Sequence, residues 1–143
     1  MKHSAGIIAY RKNDKGELEF FVGHPGGNKY YYWAFLKGLV EDGEDVAETA
    51  IREFREECGQ PLEWLTPSDL TLLGTIRQSV HKKVTVFALE YGDIDPDECF
   101  SNLADNGKVY EIDKYKWMTY DELKDHTHPT HLILYQKIKD KLN

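Results

Sequence analysis

The chain opens with a β-prone run, Ser4 to Arg11, then a polar turn, Asn13-Asp14-Lys15-Gly16, then a second run, Glu17 to Gly23. Two such runs around a short polar turn predict a hairpin. His24-Pro25-Gly26-Gly27-Asn28 is punctuated by proline and paired glycines, so it is expected to be irregular. The aromatic stretch Tyr30 to Phe35 then leads to Lys37-Gly38. Residues 45–58 carry the clearest helical pattern, with acids at 42–44 before it and Gly59 and Pro61 to end it. Strands are expected at about 70–79 and 83–91, and residues 92–110 read as a long loop with a weak element inside. Tyr115 to Met118 is a short strand, Thr119 or Tyr120 opens a helical turn, and 129–142 is an amphipathic helix. That order predicts an α+β fold, a mixed β-sheet covered by helices on two sides (α/β/α).

Length and charge narrow the picture. At 143 residues, 41% hydrophobic and 30% charged, the chain has the size and composition of one folded domain spanning 1–143. Its longest apolar runs are too short for a transmembrane helix, and no apolar leader follows Met1. Two cysteines outside any Cys-x-x-Cys pair point to a reducing, cytoplasmic setting. The net charge of −7 argues against DNA as a partner. Acids concentrate between Glu41 and Glu57, where eight of them meet only two arginines.

On a helical wheel of about 100° per residue, Glu53, Glu56 and Glu57 fall with Arg52 on one face. Ala47, Ala50, Ile51, Phe54 and Cys58 form the apolar stripe beside them. Carboxylates this close repel one another, and a face of this kind is either solvated or neutralised by a cation. Carboxylate oxygens suit Mg²⁺ or Mn²⁺, while the Cys/His set preferred by zinc is missing from the helix.

The spacing extends beyond the helix. Gly38, five residues, Glu44, seven residues, then Arg52-Glu53-Phe54-Arg55-Glu56-Glu57-Cys58-Gly59 resembles the signature box of the Nudix hydrolases, Gly-x5-Glu-x7-Arg-Glu-U-x-Glu-Glu-x-Gly-U. Every fixed polar and glycine position is filled; the last position, an aliphatic in the pattern, is Gln60. The resemblance implies the Nudix fold and metal-dependent hydrolysis of a phosphoanhydride in a nucleoside diphosphate-linked substrate. It implies Glu53, Glu56 and Glu57 as catalytic and metal-binding residues, with the Gly38 carbonyl as a further ligand. By the same match Arg52 orients a carboxylate of the set. Glu44 is either a partner that braces loop and helix or simply a helix N-terminal acid, and Arg55 is a surface residue.

Shorter motifs resemble the dinucleoside tetraphosphate hydrolases. These are the opening strand from Ser4, the Trp33-Ala34-Phe35-Leu36-Lys37-Gly38 approach to the box, Lys83-Val84, and Glu111 to Met118. Leu36 and Ile112 stand where that family has proline and histidine. The chain also resembles bacterial nucleotide pyrophosphohydrolases, which share His24-Pro25-Gly26-Gly27 and the Ser101-Asn102 pair. Lys37, Lys83, His24, Trp33 and Ser4 are the expected substrate contacts, and Glu111 the later-loop carboxylate. The general base is a box glutamate or this later one. Tyr30 to Trp33 and Tyr91 are available to stack on a base, and His126, His128 and His131 read as surface capping residues.

The substrate expected from these resemblances is a small nucleotide, foremost a dinucleoside polyphosphate such as diadenosine tetraphosphate. Alternatives are a nucleoside triphosphate, an RNA 5′ end, which the acidic balance disfavours, and a nucleotide-sensing module without catalysis. The family contains both monomers and homodimers.

Overall fold

The computed structural model describes residues 1–26, 32–101 and 111–142. Among these described residues, six strands are β1 (Lys2–Lys12), β2 (Leu18–Pro25), β3 (Leu36–Leu39), β4 (Thr71–Ser79), β5 (Lys82–Glu90) and β6 (Ile112–Thr119). The helices among them are α1 (Val46–Cys58), α2 (Tyr120–Leu123) and α3 (Leu132–Leu142), with 3₁₀ turns at 67–69, 96–98 and 129–131.

The sheet runs β4-β5-β1-β2-β6, with β1 and β5 parallel and the other pairs antiparallel. β1 shares one edge between two partners: residues 10–12 pair with β2, while 4–7 pair with β3. β3 therefore enters where β1 and β2 part, and a single bridge from Gly23 to Ala34 ties its approach to β2. Four residues are too few for a readable period, and β3 was not visible in the sequence pattern. β2 also runs two residues further than expected, because His24 and Pro25 continue the pairing with β6 through a bulge.

Alternation along β1 and β2 assigns the two faces. Ala5, Ile7, Ala9 and Phe21 pack with Ile51, Phe54 and Cys58 of α1. Ile8, Phe20 and Val22 pack with Leu134, Tyr135 and Ile138 of α3. The sheet is thus covered on both sides, as the order of elements predicts. No helix among the described residues is long and apolar enough to cross a membrane.

The ends of α1 are fixed locally. Asp45 accepts hydrogen bonds from the N–H groups of Ala47 (3.1 Å) and Glu48 (3.2 Å). Gly59 takes the left-handed conformation (φ 69°) and donates its N–H to Arg55 O.

Candidate active site

Arg52 organises the acidic face of α1. Its guanidinium makes a forked contact to Glu44 at 2.8 and 3.0 Å, reaches Glu53 at 2.9 Å and Glu56 at 3.3 Å, and donates to Leu39 O at 3.2 Å. Glu44 also accepts from the Thr49 hydroxyl (2.6 Å) and the Glu41 N–H (3.2 Å). These partners, the Arg52 hydrogen bond first, pull the Glu44 carboxyl down to about 2. Glu44 therefore braces the segment before α1 against Arg52.

Glu53 lies over β3. A β-carbon on Gly38 would fall 1.9 Å from Glu53 Cδ, so the glycine is the space that the carboxylate occupies. Burial raises the Glu53 carboxyl, with Arg52 opposing and Glu56 and Glu111 adding to the rise. Glu57 is buried at 8% exposure and accepts the Lys37 N–H at 3.1 Å. Burial, then the charges of Glu53 and Glu111, push its carboxyl well up. Glu56 is the exposed member of the row.

Among the described residues, no three His, Cys, Asp or Glu side chains form a ready-made ion-binding cluster. Arg52 instead occupies the middle of the row, paired with Glu53 and Glu56. The donor chemistry nonetheless fits a hard divalent cation. The donors are all oxygen, the carboxylates raise one another, and Gly38 lets the Glu53 carboxylate lie directly against the β3 backbone.

A cleft of about 300 Å³ opens beside Glu57, lined among others by Tyr32, Phe35, Lys37, Gln78, Glu111 and His131. Lys37 Nζ donates to Gln78 Oε1 (3.4 Å), and the Gln78 amide lies 2.8 Å from His131 Nε2. Burial pushes the Lys37 ammonium down, Glu57 opposes this, and Lys82 adds to it. His131 is pushed to about 3 by burial, then by Lys37 and His128, so its ring is neutral at physiological pH.

Lys37, Glu57 and Glu111 therefore meet at one cleft, while other expected contacts stand elsewhere. Lys83 pairs with His3 on the α1 face of the sheet, where its charge lowers the His3 imidazole after burial does. Lys37 pairs with Gly6 on the opposite face, and the neighbouring lysine whose charge it feels is Lys82. His24 is buried in β2, with Nδ1 2.7 Å from Asp113 and its ring edge-on to Trp33. Trp33 is fastened by its own backbone to His126 O and the Thr127 hydroxyl. Ser4 pairs with Leu39 and Val84, and Tyr91 packs on Trp64; none of these five lines the cleft.

Two expectations are corrected. His131 is buried rather than a surface cap, whereas exposed His128 does cap the 129–131 turn through Thr130 N–H. Arg55 is half-buried and structural, donating to Leu62 O and Leu65 O. Tyr30, Tyr31, Gly27, Asn28 and Asn102 lie outside the described residues. Gln78 and His131 were not anticipated as lining residues. Gln78 carries no motif, and it stands at the irregularity between Arg77 and Ser79 in the pairing of β4 with β5.

The family model described as NUDIX domain matches residues 2–138. "Putative nudix hydrolase 6" of Caenorhabditis elegans is 44% identical over 58 residues, 39% of the chain and 21% of that relative, so the chain spans about a fifth of its length. The asymmetrical bis(5′-nucleosyl)-tetraphosphatase of Sus scrofa is 27% identical over 131 residues, 83% of the chain and 80% of that protein. Among solved structures, a C. elegans Ap4A hydrolase binary complex superposes with a TM-score of 0.70 at 23% identity, over 99% of the chain and 98% of its own. That similarity concerns the fold.

Proposed function

The chain belongs to the NUDIX domain family, and from that premise we propose that it hydrolyses a phosphoanhydride bond of a dinucleoside polyphosphate such as diadenosine tetraphosphate, with Mg²⁺ or Mn²⁺. The observation that carries the reading is the meeting of Glu57, Glu111 and Lys37 at one cleft, beside the Gly38–Glu53 contact. Likeness to the tetraphosphatase of Sus scrofa over most of both chains supports the substrate class.

Glu53, Glu56, Glu57 and the Gly38 carbonyl would hold the divalent ion. When bound, it neutralises phosphate charge and acidifies the attacking water. Arg52 keeps Glu53 and Glu56 oriented and is itself fixed by Glu44. Lys37, placed between Gln78 and the cleft, pairs with a phosphate oxygen. Glu111, exposed across the cleft from Glu57, accepts a proton from water as its oxygen bonds to phosphorus. The bridging P–O bond breaks, and its electron pair leaves with the other phosphate.

The test is product analysis of the purified protein with Mg²⁺ or Mn²⁺ on diadenosine tetraphosphate, nucleoside triphosphates, ADP-ribose and triphosphorylated RNA. ATP plus AMP from the tetraphosphate is the expected result. Turnover of only another substrate would discard the dinucleoside reading. Nucleotide binding without any turnover would discard hydrolysis and favour a sensing module.

A further inference from the structure

The row of carboxylates on α1 has two sides, and the cleft at Glu57 occupies one of them. On the other, a second and more open groove of about 390 Å³ is lined by Arg55, Glu56, Gly59, Gln60, Pro61 and Phe100. Phe100 is 62% exposed, an unusual position for a phenyl ring that is well anchored. Its N–H donates to Cys58 O (3.3 Å), and its ring lies where a Gly59 β-carbon would stand, within 2.8 Å. Gly59 thus forms a floor under the ring and leaves the rest of it open to the groove.

Two links tie this groove to the site. Glu56 lies on its wall, next in sequence to Glu57 in the cleft. From the other direction, Ser101 Oγ accepts the Ile112 N–H (2.9 Å) and donates to Ile112 O (3.2 Å). Phe100 and Glu111 therefore flank one hydrogen-bonded pair, the first facing the groove and the second the cleft. Gln60, which replaces the aliphatic at the end of the box, donates through Nε2 to Glu98 O. Its Oε1 is left as an acceptor beside the ring, where an aliphatic residue would offer none.

We propose that this groove seats the second nucleoside of a dinucleoside polyphosphate, its base stacked on Phe100 and its exocyclic amine within reach of Gln60. The proposal rests on the dinucleoside reading above. One nucleoside fills the cleft at Tyr32 and Phe35, the phosphates cross the Glu53-Glu56-Glu57 row, and the other nucleoside reaches Phe100. A phenyl face accepts any base, so the groove selects for a second nucleoside rather than for its identity.

The experiment compares diadenosine tetraphosphate with adenosine 5′-tetraphosphate, which has the same phosphates and one nucleoside. In Phe100→Ala the ratio of kcat/KM values, dinucleoside over mononucleoside, falls about tenfold, the loss of one base stack. The fall comes through KM, and Phe100→Trp restores the ratio. An equal effect on both substrates in Phe100→Ala, or an unchanged ratio, overturns the subsite while leaving the hydrolase reading standing. Wild-type protein that cleaves nucleotides but not the dinucleoside overturns the substrate reading and the subsite with it.

Discussion

The backbone N–H of Lys37 donates to the carboxylate of Glu57, twenty residues further along, at 3.1 Å. Strand β3 is short and enters where β1 and β2 part, and the N–H of its second residue goes to a helix side chain. A buried carboxylate thereby gains a donor, yet Glu53 and Glu111 still press on its charge.

Glu57→Gln separates those two effects. An amide oxygen still accepts the Lys37 N–H, but the variant cannot carry charge to a cation. We expect turnover to fall by orders of magnitude with the fold intact. Because burial first, then neighbouring acids, raise this carboxyl, its ionised form costs stability above the ordinary carboxylate pKa of 4.5. In chelator at neutral pH the variant should therefore unfold at a higher urea concentration than wild type, and Mg²⁺ should stabilise wild type more. Activity within threefold of wild type would discard the assignment.

Gly38→Ala tests the space under Glu53. The added β-carbon would fall 1.9 Å from Glu53 Cδ, so the side chain must leave its position. A misplacement of about 1 Å in catalytic machinery costs on the order of 100-fold in rate. The expected signature is that loss in kcat, with a higher Mg²⁺ concentration needed for half-maximal rate. Wild-type kinetics would mean that Glu53 has no fixed role.

Glu44→Gln tests the brace, and its pH dependence has a definite sign. The Glu44 carboxyl is held at about 2, below its ordinary 4.5, chiefly by the Arg52 hydrogen bond. Its contribution to stability is therefore complete above pH 4.5 and is lost as pH falls towards 2. The variant should melt at a lower temperature than wild type at pH 7, with the gap closing by pH 2. A gap of constant size across that range would show that Glu44 acts by packing alone.

The sequence made α1 legible because an apolar stripe, the carboxylate spacing and a terminating glycine all coincide within the fifteen residues 45–59. The Asp45 carboxylate caps the start of the helix, the left-handed backbone of Gly59 ends it, and Phe54 and Cys58 lie in the core. What it could not show was decided by tertiary contact. His131 carries the same ring as His128 three residues earlier, yet one is buried against Phe35 and the other caps a turn in the open. Arg55 reads as a surface cation, but the carbonyls of Leu62 and Leu65 come back to meet it. Gln78 lines the cleft from the irregularity between Arg77 and Ser79 of β4, which no local pattern marks.

Strand alternation gives the sharpest distinction, because one residue of register exchanges the two faces of a sheet. Lys82 pairs with Lys2 and Lys83 with His3, so the two ammonium groups leave β5 on opposite sides. The charge of Lys82 is felt at Lys37, which lines the cleft, and that of Lys83 at His3. A polyphosphate lying along Lys37 is therefore attracted more by Lys82 than by the lysine the family resemblance favours. Lys82→Gln should raise KM for a tetraphosphate about fivefold, equivalent to about 1 kcal/mol for a partly solvated charge. The effect should shrink as salt screens the charge, and Lys83→Gln should raise KM by less. A larger increase in Lys83→Gln would show that the phosphates are neighboured by Lys83 rather than by Lys82.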